Sequence, residues 1–362
     1  MMIGQEQSKS CLAVAALAAL APLAIASAAI GAGGVPDYDF DWATIGDPGN
    51  EPYQGQLTDV NVGTNRGTVD YNYRMSKLEV SSGQWFEFMN TFSPLFGDPT
   101  WGEPGNGFGF WDTTGHGSYR PFHSQADLVP VQGITWRQAA MYANWLHNDK
   151  AATIAAISDG AYDVSTFNID SVWLDGDQVA HHPDAKFWIP TLDEWLKAAH
   201  YDPNKDGLGE AGWWQYTTTS DTLPVPGPPG EGETSADNFA WSIDDIDFDG
   251  SGTALIPLGS YPEITSPWGL LDTSGGAGEW TEEIVHLSQR AVKGSFAGGS
   301  VFQGVDVLEH IDIVGGLSPG SGGWAGLRLA SAIPNPGNVI LVILFFSRSC
   351  LRRTRDEKES DL

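Results

Sequence analysis

The chain has 362 residues, 41% of them hydrophobic and 15 of them tryptophan, which is ample material for a packed core and excludes a disordered polymer. Asp and Glu number 46 against 18 Lys and Arg, for a formal net charge of −28, and five of the basic residues (Arg348, Arg352, Arg353, Arg355, Lys358) crowd into the last fifteen positions. So acidic a body repels phosphate backbones and excludes nucleic acid as a partner.

Residues 1–29 read as a signal peptide. Lys9 precedes the apolar run CLAVAALAALAPLAIASAA, which closes on small residues with an A-x-A-like cleavage site near Ala28 or Ala29. The alternative is a retained membrane anchor. The only two cysteines are Cys11, inside this segment, and Cys350, near the C-terminus. The mature body therefore has no thiol for disulfides, thiolate metal sites or nucleophilic catalysis.

Residues 30–69 are turn-rich and predict an extended lead-in. The alternating, β-favouring TVDYNYRMSKLEV predicts a strand. Three helices follow, each announced by Ser/Thr-x-x-Gln/Glu, in which the hydroxyl and the residue three later satisfy orphan backbone donors reciprocally. They start at Ser81 with Gln84, at Thr135 with Gln138, and at Thr191 with Glu194. Apolar residues then recur at helical spacing: Trp85, Phe88, Met89 and Phe92; Ala139, Tyr142, Ala143 and Leu146; Leu192, Trp195, Leu196 and Ala199. These are predicted core faces. The long stretches between and after the helices, such as TTTSDTLPVPGPPGEGETSADN, carry too many Gly and Pro for regular structure, and so much irregular backbone calls for an organiser.

Three acidic segments offer oxygen ligands for a hard cation. LDTSGGAGEW sets Asp272 and Glu279 seven apart among glycines that let carbonyls turn inward. DDIDFDGSG places Asp245, Asp247 and Asp249 before Gly250 but lacks the closing glutamate of a calcium loop, and DPNKDGLGE repeats the partial pattern with Asp202, Asn204 and Asp206. Each also reads as a solvated Asp-Gly turn. Two apparent catalytic signals fail on physical grounds. In GLSPG, residues 316–320, Pro319 has no N–H to serve as the oxyanion donor of a nucleophile elbow. HHPD, residues 181–184, lacks a second histidine pair for a metal and reads as a surface loop.

The tail joins Pro334 and Pro336 to an eight-residue apolar run, 339–346, and the arginine cluster. Eight residues do not span a bilayer. The order resembles a PEP-CTERM sorting tail, with Asn335 in place of the usual glutamate. The body carries a second resemblance. KLEVSSGQWFEFMN, PVQGITWRQAAMYANWL, FWIPTLDEWLKAAH, DNFAW, PWGLLDTSGGAGEW, AVKGSF and GLRLA resemble, in order and spacing, the motifs of the formylglycine-generating enzyme family, also called the sulfatase-modifying factor domain, over residues 70–331.

That resemblance implies a mixed α/β domain with little regular secondary structure, C-type-lectin-like and stabilised by calcium. It implies one calcium held by the Asp272 and Glu279 side chains with the Gly275 and Ala277 carbonyls, Asp272 standing where asparagine is usual. It implies another on Asn238 and the Phe239 carbonyl, completed by Asp249 and the Ser251 carbonyl. The family's oxidases use copper on two cysteines after the R-G-G-S-like motif. The matching VKGSFAGGSVFQGVDVLEH has none, so no copper and no formylglycine-generating oxidase activity are expected, and no catalytic or cofactor-binding residue is assigned. The expected protein is an exported, calcium-stabilised binding or accessory module at the surface, outer membrane or extracellular matrix of a Gram-negative bacterium. Its expected partners are a protein or glycan ligand and the export and sorting machinery. An enzyme of another reaction class on the same scaffold is the alternative.

Overall fold

The computed structural model describes residues 35–57, 62–96, 109–112, 118–121, 126–168, 176–236, 256–285, 289–297, 306–311 and 325–334. Residues 1–29, expected to be a signal peptide, and the expected sorting tail beyond Pro334 lie outside these residues. Among the described residues no helix is long and apolar enough to cross a membrane. The body forms a compact unit, Asp39–Ala332.

Four helices are present among the described residues: α1 Ser82–Phe96, α2 Trp136–His147, the short α3 Ile154–Ser158 and α4 Leu192–His200. The three predicted capping boxes all form. Ser81 Oγ accepts from the Gln84 amide at 3.2 Å while Gln84 Oε1 accepts from the Ser81 amide at 3.0 Å, and Thr135/Gln138 and Thr191/Glu194 repeat the exchange. All twelve apolar positions predicted for these helices are buried. Trp85 stacks on Tyr142 at 5.3 Å and Phe88 meets Trp145 at 5.4 Å, so α1 and α2 join through an aromatic seam. Helix α4 ends where Tyr201 turns extended ahead of Pro203, and the Trp214 amide caps the His200 carbonyl.

The strands are short and fall into several small sheets. The central one has the order β1 (Trp42–Ile45), β4 (Tyr73–Ser76), β13 (Ala330–Ser331), β7 (Phe187–Trp188), antiparallel throughout. It joins the two ends of the body. Residues expected only as an extended lead-in thus supply an edge strand, and also the hairpin β2 (Tyr53–Gln56) and β3 (Thr64–Arg66). Two further hairpins are β5 (Gly109–Asp112) with β6 (Ser118–Pro121), and β8 (Tyr201–Gly207) with β9 (Glu210–Trp213). The mixed α/β class with little regular structure is therefore the one observed.

The sheet that positions the chemistry runs β11 (Gln289–Lys293), β10 (Gly278–Val285), β12 (Ala325–Gly326). Leu192, Trp195, Leu196 and Ala199 of α4 pack over it in one core with Val285, Ala291, Leu308 and Ile311. Its β10–β11 ladder slips between Trp280 and Ile284: four steps along β10 match two along β11, from Val292 to Arg290. This irregularity spans Glu282 and re-aims side chains, as bulges do beside special sites.

Candidate functional site

Two buried carboxylates on β10, Glu279 and Glu282, anchor separate clusters. Glu279 is 1% exposed and faces Arg328, which is fully buried. The guanidinium is engaged at all three nitrogens. Nε donates to both Glu279 oxygens at 2.9 Å, and Nη2 makes an ion-pair contact with Oε1 at 2.7 Å. Nη1 donates to the carbonyls of Ser76 and Lys77, and Nη2 also to that of Leu271. Trp195 Nε1 completes the carboxylate at Oε2, 2.5 Å. Oε1 thus accepts once and Oε2 twice, with Nη2 in close ionic contact beside Oε1, so both oxygens are engaged from within the protein. The neighbouring carboxylates hold Arg328 above even its ordinary high range, so it stays charged.

The loop before β10 is pinned by the same cluster. Glu79 Oε1 accepts from the Ala277 amide at 2.9 Å, while its Oε2 is buried without a partner. Burial first, and the charge of Glu279 second, push the Glu79 carboxyl well above the usual carboxylate range. Gln132 donates to the Gly276 carbonyl, and Ser235 and Ser295 hydroxyls accept from the Gly276 and Gly275 amides. At Gly276, φ is +67°, and an added Cβ would stand 2.5 Å from Glu79 Oε2; at Gly275, φ is +87° and Ser235 Oγ would lie at 2.3 Å. The glycines are thus required by a left-handed backbone and by close approach. Asp272, also left-handed at φ +54°, accepts from the Gly259 amide at 2.6 Å, and burial raises its carboxyl.

Of the sequence-assigned calcium ligands, the structure therefore brings Asp272, Gly275, Ala277 and Glu279 into one loop. Asn238, Phe239, Asp249 and Ser251 lie outside the described residues. As a test of fit, charge and geometry point different ways. Glu79 is pushed toward its neutral form, so the charges to balance are those of Asp272 and Glu279 against one guanidinium, and the excess is one a bound cation would offset. The Glu279 side chain is held by Arg328 and Trp195, so a cation would have to share it with that guanidinium. The DPNKDGLGE segment forms the β8–β9 hairpin, where Asp202 accepts from the Asn204 amide and Trp214 Nε1, and Asn204 from the Gly209 amide. Its side chains cap a turn.

Glu282 has a different setting. Its Oε1 accepts from Tyr162 Oη at 2.5 Å, from the His181 amide at 2.8 Å and from His181 Nδ1–H at 3.0 Å, while Oε2 is buried without a partner. The His181 imidazole stacks on Trp188, centroids 4.6 Å apart at 16°. Trp188 Nε1 donates to Glu194, which also accepts from Tyr71 Oη at 2.9 Å. Beneath, Arg290 lies 3.8 Å over Trp136 and donates to the carbonyls of Gln178, Val179 and Glu282. Burial alone would lower His181; its bond to Glu282 and the charges of Glu282 and Glu194 outweigh it, and the imidazole ends above its ordinary value.

HHPD is a loop exposed at His182, Pro183 and Asp184, while His181 turns inward, its side chain 16% exposed and held to Glu282. The partner stands 101 positions away, and nothing in the local pattern announces it. Beside them, Glu283 accepts from Arg66 Nη2 at 2.6 Å, and the same guanidinium grips Asp193 at 2.7 Å.

Among known proteins, the solved structure of CarF is 19% identical at a TM-score of 0.48, with 83% of this chain and 99% of that one covered. Treponema denticola variable protein 1 is 18% identical at 0.45, covering 81% and 95%, and PvdO from Pseudomonas aeruginosa 16% identical at 0.38, covering 81% and 92%. No curated protein matches. The family described as Sulfatase-modifying factor enzyme 1-like domain matches residues 48–333, from just after β1 to just past β13. Over that span, which takes in both carboxylate clusters, the chain belongs to the sulfatase-modifying factor enzyme 1-like domain family.

Proposed function

We propose that the chain is an exported binding or accessory module of this family that works without copper-dependent oxidation of cysteine. The observation that carries this reading is in the sequence: Cys11 and Cys350 both lie outside residues 48–333, so the family domain contains no cysteine. Copper(I) favours soft thiolate ligands, and hydroxyl groups do not replace them. The buried network around Arg328 supports a structural role for the loop, since Arg328 and Glu279 are buried and held by one another and by internal carbonyls and Trp195.

Calcium enters this proposal as charge balance, through Asp272 and the carbonyls of Gly275 and Ala277, with Asn238, Phe239, Asp249 and Ser251 as the second set. The partner is a cell-surface glycan or an exported protein, with the tail directing the chain to the cell envelope.

The test uses the full chain. Incubated with a sulfatase-type cysteine peptide, with and without copper, it yields no aldehyde product by mass spectrometry, whereas product above a no-enzyme control refutes the proposal. Parallel binding assays against glycan arrays and exported proteins, with calcium and with chelator, are expected to identify a ligand. If calcium contributes, chelator lowers the melting temperature and calcium restores it, by the equivalent of about 2.7 kcal/mol at a hundredfold excess over the dissociation constant.

A further inference from the structure

The segment 176–185 crosses the body as a strap held by a few long-range contacts. Asp177 pairs with Arg137 at 2.7 Å, and Gln178 accepts from the Asp163 amide and donates to the Ala161 carbonyl. Arg290 donates to the carbonyls of residues 178 and 179, and the His182 amide donates to the Ala161 carbonyl. These anchors rest on guanidinium groups, the Asp177 carboxylate, the Gln178 side-chain amide and backbone groups. His181 is different: it supplies the amide and imidazole bonds to Glu282, and it alone of the anchoring side chains ordinarily ionises between about pH 5 and 8.

We propose that residues 176–185 form a proton-operated strap, clamped through His181 to Glu282 and Trp188 when the imidazole is protonated and loosened when it is neutral. The strap does not depend on the proposed binding role. The groups facing the imidazole are Glu282 from β10, Glu194 from α4 and the Trp188 ring from β7, with Tyr162 on the same Glu282 oxygen, Tyr71 on Glu194 and Arg290 behind. Glu282 lies in contact with the imidazole and Glu194 nearby, so a protonated His181 places a positive charge against buried acids. Deprotonation removes that charge, and the hydrogen bond to Glu282 becomes one between a neutral donor and a carboxylate.

His181 ionises above its ordinary value in the clamped state, so the stabilisation is complete below the unfolded value and is lost as pH rises through the clamped one. His147, whose Nδ1 accepts from the Lys186 amide just past the strap, has the opposite sign, because burial and Lys186 lower it. His182 and Asp184 are exposed, at 60% and 92%, and contribute little.

The test is hydrogen exchange of the amides of His181, His182 and Ala185 in the full chain, corrected for intrinsic chemistry, together with an NMR titration of His181. Between about pH 6 and 8 the opening equilibrium of the strap is expected to grow, by up to about tenfold for each unit by which His181 is raised. In Glu282→Gln, whose amide oxygen still accepts from Tyr162, His181 is expected to ionise lower and the strap to exchange fast at both pH values. A wild-type His181 ionising at or below its ordinary value overturns the proposal, as does an unchanged pH dependence in Glu282→Gln.

Discussion

Glu279 and Glu282 stand three residues apart on β10, both buried, and have opposite fates. Glu279 has both oxygens engaged and a permanent cation against it. Glu282 has one oxygen filled, one orphaned, and a histidine as its nearest countercharge. Three residues apart on a strand they point to opposite faces, and the ladder irregularity from Trp280 to Ile284 takes in Glu282 alone of the two. The two clusters divide the labour: the first locks the glycine loop under all ordinary conditions, and the second answers to pH. A buried carboxylate is thus defined by what neutralises it, and local sequence does not reveal that.

The sharpest way to break the comparison is to remove the permanent cation. Arg328→Met leaves Glu79, Asp272 and Glu279 without a counterion and is expected to cost about 3–5 kcal/mol in urea unfolding, the usual penalty for an unpaired buried charge. Arg328→Lys keeps the charge but not the five-donor fork, and is expected to recover only part of the loss. Next comes the backbone of the same loop. Gly276→Ala meets Glu79 Oε2 at 2.5 Å with φ +67° and is expected to cost about 1–3 kcal/mol, whereas Gly209→Ala, at φ +78° in open space on the β8–β9 turn, is expected to cost less.

On the Glu282 side the effects are smaller. Tyr162→Phe removes a hydroxyl that donates to Glu282 and accepts from the Ile189 amide, and is expected to cost about 1–3 kcal/mol by thermal or chemical unfolding. Smallest is Glu283→Gln. Its partner Arg66 keeps Asp193, and both side chains reach solvent, so a loss of at most about 1 kcal/mol is expected. A Glu283 effect as large as that of Arg328 would erase the distinction between the buried network and its rim.

The legible part of this fold is the part written locally. A hydroxyl and an amide or carboxyl three apart mark three helix starts, and the apolar faces of Trp85, Tyr142 and Trp195 follow from a period of 3.6. The strands are harder to read, because two-residue elements such as β7 and β13 carry no periodicity; they exist by pairing with distant partners. The candidate site is legible as a location, since the acids and glycines of residues 272–279 do form an organised loop. Its chemistry is not: Arg328 lies 49 positions from Glu279, Arg66 lies 217 from Glu283, and His181 lies 101 from Glu282. Glycine density signals a special backbone correctly, yet the same signal fits carbonyls turned toward an ion and amides turned toward Glu79 and two serines.

Glu279 and Arg328 act as one unit in this scheme, and a double-mutant cycle tests that directly. Urea unfolding of the wild type, Glu279→Gln, Arg328→Met and the double variant, each with calcium and with chelator, gives the coupling energy. The double variant is expected to be less destabilised than the sum of the singles by about 2–3 kcal/mol, with the same coupling in chelator. Additive losses, or a coupling that vanishes when calcium is removed, would contradict the pairing and return Glu279 to the metal.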